Sequence, residues 1–301
     1  METAPKEKDA LTPVDQSEPL ANKERLEQKA KKRNAKVQFS VLKTGLENSA
    51  DSETVAEFNL RQILHPKVTV DKFFEEYFEK EVLLVDRKCE NYYTPLFNTK
   101  ILDDAFNNNV VIYGKNVNVA KTEDGQRETA PLSGRATARE IQEFLKEGWS
   151  LQLVNPQLYS EELFRLCSDS HELFCSFAGA NVYVTPPTSQ GFAPHWDDVD
   201  VIILQCEGSK RWRVYRPPAG EELPLDSSYD VLSRDFSPEE AKEFQIAFEG
   251  VVRPGDTLYV PRGHIHEATN EGDNQAIHVT LSVNRRDSWV DLGQKHMHST
   301  G

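Results

Sequence analysis

The chain has few thiols, no long apolar run and too few basic residues to balance its acids. Its four cysteines, Cys89, Cys167, Cys175 and Cys206, include no Cys-x-x-Cys pair, which argues against a zinc ribbon or a disulfide framework. Cys206 falls in an apolar run and Cys167 in a helical pattern, so all four read as reduced core thiols. No stretch is long and apolar enough to span a bilayer, and the polar start, Met-Glu-Thr-Ala-Pro-Lys-Glu-Lys-Asp, is no secretory signal. Lys and Arg number 35 against 49 Asp and Glu, for a net charge of −14. That balance speaks against a general phosphate binder and against sequence-specific nucleic-acid contact, and it fits a basic protein partner.

What is present divides along the chain. Its 301 residues suffice for one large domain with appendages. Residues 1–57 are mostly Lys, Glu, Gln, Ser, Asp and Asn, too polar to offset the entropy of ordering, so a disordered tail is expected. Within it Lys29, Lys31, Lys32, Arg33 and Lys36 form a basic run. The run reads either as a nuclear or nucleolar address or as a solvated charged helix.

Residues 58–149 read as an N-terminal flank of helices and short strands. Thr69 is placed as an N-cap, with Phe74, Tyr77 and Phe78 on the buried stripe and a strand over 82–85. Asn109 to Ala120 reads as short strands and Lys121 to Arg127 as a charged turn. Thr137 and Glu140 form a capping box opening a helix over 138–147, which Gly148 stops. A helix after Ser160 turns Leu163, Phe164, Leu166 and Cys167 inward.

From residue 150 to 289 the texture changes. Strands are predicted over 181–185, 199–206, 211–215, 251–260 and 277–284, separated by Gly and Pro turns. One helix interrupts them, with Ser237 as N-cap, Pro238 at its first position and Glu240 closing a capping box. Helices that precede the strands, rather than alternating with them, argue against a doubly wound sheet. The expected fold is mainly β, a sandwich or jelly roll with an N-terminal α+β flank.

The chemistry begins at Gly191-Phe-Ala-Pro-His-Trp-Asp-Asp, which runs into a β-branched strand. His195 and Asp197 are two apart, so in extended chain both leave the same face. They make two thirds of a 2-His-1-carboxylate iron site. Gly255, Pro261, Gly263, His266 and Asn270 then resemble the second motif of cupin barrels at every defined position. In that motif the last His ligates metal, which implies His266 as third ligand and leaves His264 for the pocket rim. Fe(II) so held keeps positions open for a bidentate cosubstrate and O2.

A 2-oxoacid cosubstrate needs a cation for its distal carboxylate. Alternation in Lys210-Arg-Trp-Arg-Val-Tyr places Lys210 with Trp212 and Val214, facing inward if those face the core; otherwise Lys210 is exposed at the strand's start. His278, Thr280 and Ser282 share one face of their strand, and Asn181, Tyr183 and Thr185 one face of theirs. Each face lines either a cavity or solvent, and in the first case Asn181 and Tyr183 could hydrogen-bond the cosubstrate.

Taken together, the chain resembles the JmjC-domain ribosomal oxygenases, bifunctional lysine demethylase and histidyl-hydroxylase proteins. The likeness rests on Gly179-Ala-Asn-Val-Tyr-Val-Thr-Pro-Pro, Ser189-Gln-Gly-Phe-Ala-Pro-His-Trp-Asp-Asp, Leu204 to Pro217, Pro254 to His266 and His278-Val-Thr-Leu-Ser, and it covers residues 58–289. Gly191-Phe-Ala-Pro-His and Thr185-Pro-Pro lie nearer the nucleolar branch. The resemblance implies a JmjC double-stranded β-helix binding Fe(II) through His195, Asp197 and His266, with 2-oxoglutarate on Lys210 beside Asn181, Tyr183, His278 and Thr280. It implies a dioxygenase that hydroxylates a ribosomal-protein histidine, or demethylates histone H3 lysine as a chromatin and transcription regulator, in the nucleus or nucleolus. A rival of another class is a barrel that binds without turnover.

Two features depart from the family. Trp196 stands where the family has Tyr. After Trp289 the family continues into dimerisation and winged-helix regions, whereas residues 290–301 read as a short tail, with His296 and His298 an adventitious pair.

Overall fold

The computed structural model describes residues 54–123, 126–217 and 237–284. The basic run, most of the expected tail and everything after Asn284, including His296 and His298, lie outside them. Among the described residues no helix is long and apolar enough to cross a membrane.

The flank opens with α1 (Val55–Leu64), whose Thr54 and Glu57 form a capping box. Thr69 caps α2 (Val70–Lys72) through its side chain, as its place in the sequence predicts. The helix then widens into a π-helical turn over Phe73–Tyr77. In a widened turn residues five apart share a face, so Phe73 and Phe78 are buried while Phe74 and Tyr77 are half-buried. The expected stripe of Phe74, Tyr77 and Phe78 is shifted for that reason. Among the elements not anticipated are α1 itself, α3 (Thr99–Asn108), capped by Asn98, and β4 (Ser150–Val154). The Thr137–Glu140 capping box opens α4 (Ala138–Lys146), and Gly148 follows it at φ +84°. Ser160 caps α5 (Glu161–Phe174), which buries Leu163, Leu166 and Cys167. Phe164 is instead 60 % exposed and Cys175 lies at the surface, both contrary to expectation. Phe164 directly follows the buried Leu163 in the first turn, so the helix rotates it away from the core.

The strands form two antiparallel sheets. The larger runs β1 (Leu83–Val85), β9 (Thr257–Val260), β6 (Val199–Glu207), β11 (Ala276–Asn284), β5 (Ala178–Thr185), β4, β2 (Val117–Glu123), β3 (Gln126–Thr129). The smaller runs β10 (Ile265–Asn270), β7 (Lys210–Tyr215), β8 (Ile246–Val252). This is the double-stranded β-helix, extended at both ends of the larger sheet by strands from the flank. The expected charged turn at Lys121 to Arg127 is the end of a hairpin, because Thr122 and Glu123 pair with Arg127 and Gln126. The expected strand over 251–260 is two, β8 and β9, divided at Pro254-Gly255.

Both faces of β6 are buried. Ile202 and Leu204 face the helices with Phe73, Leu163 and Leu166, while Val201 and Ile203 meet Trp212, Val214 and Val252 between the sheets. That accounts for its unbroken β-branched run. A short helix, α6 (Pro238–Ala241), closes one end; its Glu240 N–H donates to Ser237 Oγ and Ser237 N–H to Glu240.

The turn into β9 is tied to the flank. Arg87 donates to the Gly255 carbonyl at 3.0 Å, to Thr257 Oγ1 at 2.8 Å and to the carbonyls of Gln62 and Ile63. Gly255 has φ +89°, and a Cβ there would lie 2.1 Å from the Cys89 carbonyl oxygen. Gly255→Ala is therefore expected to cost more than about 1 kcal/mol, from left-handed strain and backbone overlap together. A lowered urea midpoint would show it; an unchanged midpoint would mean the turn relaxes freely.

Candidate metal centre and cosubstrate cavity

The centre begins with a backbone constraint. His195 and His266 face each other across an isolated antiparallel bridge, with His195 N–H to His266 O at 3.1 Å and His266 N–H to His195 O at 2.7 Å. Directly opposed residues send their side chains to one side, and the two ring centroids are 4.5 Å apart. Asp197 follows on the same side, its Oδ2 3.9 Å from His195 Nε2 and 3.7 Å from His266 Nε2. One donor atom from each of the three lies within 4.8 Å of the others.

The tautomers follow from hydrogen bonding. His195 Nδ1 faces the Ala193 carbonyl at 2.8 Å and His266 Nδ1 the His264 carbonyl at 3.0 Å. A carbonyl only accepts, so each Nδ1 carries the proton and each Nε2 presents its lone pair. Burial and the neighbouring His195 hold the His266 imidazole below its usual range, keeping it neutral. Two imidazole lone pairs and one carboxylate fit a divalent iron of the non-haem type.

Surrounding contacts hold the ligand loops. Gly263 N–H donates to the Asp197 carbonyl at 3.0 Å, and Arg262 Nη1 pairs with Asp198 at 3.3 Å. Tyr259 donates to buried Asp200, which also accepts from Arg262 N–H at 3.3 Å, and Tyr259 oxygen accepts from Glu79 N–H at 2.7 Å. Trp196 packs against Tyr215, Ala241 and Ile265, away from the centre. Trp196 thus ties α6 and β7 to the ligand loop.

A cavity opens beside the triad, lined from both sheets. Lys210 lies on its wall, 5 % exposed, with Arg211 and Arg213 outward and paired to Glu271 and Glu249. Among the described residues Lys210 makes no ion pair, and burial pulls its pKa down to about 7. The polar face of β11 points inward, since His278 and Thr280 line the cavity. Tyr183 lines it too, stacked on His278 at 4.9 Å and accepting from Gln152 at 3.1 Å. Asn181 pairs with Thr280 but is not among the lining residues. His264 is buried outside the lining, with neither ring nitrogen partnered among the described residues, and so does not form the expected rim. Among the described residues Trp212 Nε1 and His278 Nδ1 are buried without partners beside Lys210, a wall suited to an anionic cosubstrate.

The sequence reading missed Gln152, Phe192 and Glu267. Gln152 lies on the unanticipated strand β4, and Glu267 breaks the alternation set by His266 by reaching the cavity wall.

Residues 152–292 match the JmjC domain family. Over 227 residues the chain is 41 % identical to the bifunctional lysine-specific demethylase and histidyl-hydroxylase NO66 of Caenorhabditis elegans, covering 75 % of this chain and 30 % of that protein. Over 267 residues it is 38 % identical to ribosomal oxygenase 1 of Danio rerio, covering 88 % of this chain and 48 % of that one. The chain carries a JmjC domain and is similar over three quarters or more of its length to these ribosomal oxygenases. It spans from about a third to about half the length of these two relatives. The fold is also that of YcfD, a ribosomal oxygenase from Escherichia coli solved with cobalt and 2-oxoglutarate. That match has a TM-score of 0.56 and 20 % identity, over 76 % of this chain and 54 % of YcfD.

Two outcomes follow from this geometry. His195→Ala and His266→Ala should each weaken Co(II) binding by more than about a hundredfold, read by calorimetry; parent-like affinity in either would remove the triad as the metal site. Burial also pushes Asp200 up to about 6. The folded state then binds more protons than the unfolded one between about pH 4 and pH 6, so stability contributed by Asp200 falls as pH rises through that window. Asp200→Asn should lack this component in urea titrations at pH 4.5 and 6.5, and an equal slope in parent and variant would refute it.

Proposed function

We propose that the chain is an Fe(II)- and 2-oxoglutarate-dependent oxygenase that hydroxylates a histidine of a ribosomal protein. The observation that carries this reading is one cavity with an Nε2, Nε2, carboxylate donor set on one wall and unpaired, buried Lys210 on the other. His195, Asp197 and His266 would hold the iron. Lys210 would bind the distal carboxylate of 2-oxoglutarate, with Trp212 Nε1, His278 Nδ1, Thr280 and the Tyr183 hydroxyl as further polar partners and Asn181 at the outer end of that face. When bound, iron, 2-oxoglutarate and O2 supply oxidative decarboxylation to succinate and CO2 with insertion of one oxygen atom into a substrate C–H bond. The chain's own contribution is to orient cosubstrate and substrate and keep water out, with Phe192, Val201, Ile203 and Trp212 as apolar walls.

A second reading, demethylation of a histone H3 methyl-lysine, is favoured by the names of relatives that include a lysine-specific demethylase. Hydroxylation of an N-methyl group by the same centre would release formaldehyde and lead to chromatin and transcription regulation. Either substrate is basic, which suits the net charge of −14. We assign the protein to the nucleus or nucleolus through the basic run at residues 29–36, with residues 58–149 as flank and 150–289 as barrel.

Lys210→Ala should raise the 2-oxoglutarate requirement by about tenfold or more, from loss of a charge-assisted bond; an unchanged requirement would take Lys210 out of the site. Ribosomal-protein and methylated histone peptides separate the activities by mass. Gain of one oxygen on histidine supports hydroxylation, loss of methyl supports demethylation, and neither supports a binding module.

A further inference from the structure

One charged group beside the cavity takes no part in holding metal or cosubstrate. Arg127 is exposed on β3, its guanidinium carbon 4.4 Å from the centroid of the Phe192 ring. Phe192 lines the cavity, its ring 5.2 Å from that of Tyr183 and 6.3 Å from that of His195. The stack is fixed by backbone. Arg127 pairs with Thr122, and Thr122 N–H donates to the Gln190 carbonyl at 2.9 Å, two residues before Phe192.

The other charges around the cavity are balanced. Glu267 accepts from Tyr215 at 2.9 Å and meets Arg213 at 3.5 Å. Lys121, next to Thr122, is paired with Glu123 at 2.5 Å. In the oxygenase reading, on which this inference rests, Asp197 and a dianionic cosubstrate offset a dication and Lys210. Among the described residues Arg127 makes no ion pair, and its contact there is the face of Phe192.

We infer that Arg127 sets the charge selectivity of the cavity, favouring entry of a neutral side chain such as an unprotonated imidazole over a cationic one such as methylated lysine. Two physical effects act together. The guanidinium repels an incoming cation at the cavity mouth, an effect that salt weakens because Arg127 is exposed. It also occupies a face of Phe192 that a methylammonium group would otherwise use as an aromatic wall. The charge is felt inside as well: against the dominant effect of burial, Arg127 favours ionisation of the Tyr183 hydroxyl.

The test uses two peptides identical except at the target position, histidine in one and Nε-dimethyl-lysine in the other. Their affinities are measured on the full chain loaded with Ni(II) and 2-oxoglutarate, for the parent, Arg127→Gln and Arg127→Lys, at low and high salt. The parent should prefer the histidine peptide. Arg127→Gln should reduce that preference by about fivefold, Arg127→Lys should keep most of it, and salt should narrow the difference. Equal 2-oxoglutarate affinity in all three would show the cavity intact. A preference unmoved by Arg127→Gln, in a protein that still hydroxylates the histidine peptide, would overturn the rim inference alone. A parent that binds neither peptide would overturn the histidine and methyl-lysine readings and this inference with them.

Discussion

Two backbone hydrogen bonds between His195 and His266 are the constraint on which the site depends. They join the loop before β6 to β10, segments that belong to different sheets. Opposition across an antiparallel bridge puts both imidazoles on one side, and the two-residue repeat of extended chain brings Asp197 to the same side. The carbonyls of Ala193 and His264 then orient both rings so that their free lone pairs meet the carboxylate. Tyr259, Asp200 and Arg262 hold the loops from behind, and Trp196 holds them from the side.

The cavity beside this centre follows from sheet geometry. The larger sheet buries one face under helices of the flank, which frees its other face for the inter-sheet space. Toward one end that space is filled by Val214, Val252, Leu258 and Val260; toward the other it opens between Tyr183, His278, Lys210 and the triad. A lysine in such a place is costly unless an anion joins it. Its depressed pKa records that cost, and Trp212 and His278 add unpartnered nitrogen atoms nearby. Outside, the β2–β3 hairpin carries Arg127 to the edge of the same cavity, so the flank reaches the chemistry as well as the core.

Much of this was legible in local pattern. Capping residues announced α2, α4, α5 and α6, because an N-cap side chain acts within three residues of itself. Alternation placed Lys210 with Trp212 and sent Arg211 and Arg213 outward, because strand period is independent of what lies across the sheet. Patterns that needed a neighbour were misread. Phe164 looked like part of an apolar stripe, yet among the described residues no partner element covers it. Phe74 gave way to Phe73 because a π-helical turn changed the period, and β4 was invisible until β2 and β5 paired on either side of it.

The sequence by itself determined most of the capped helices, the fold class and the residue types of a metal site, since these depend on spacing along one strand or one turn. Tertiary structure alone decided which atoms meet. It set Asp197 within 4 Å of both imidazoles, put His264 away from the cavity and left Asn181 outside its lining. It also laid Arg127 on Phe192, residues 65 positions apart in the chain. Such encounters arise only where strands from distant parts of the chain pair in a particular register, and register is a property of the folded sheet.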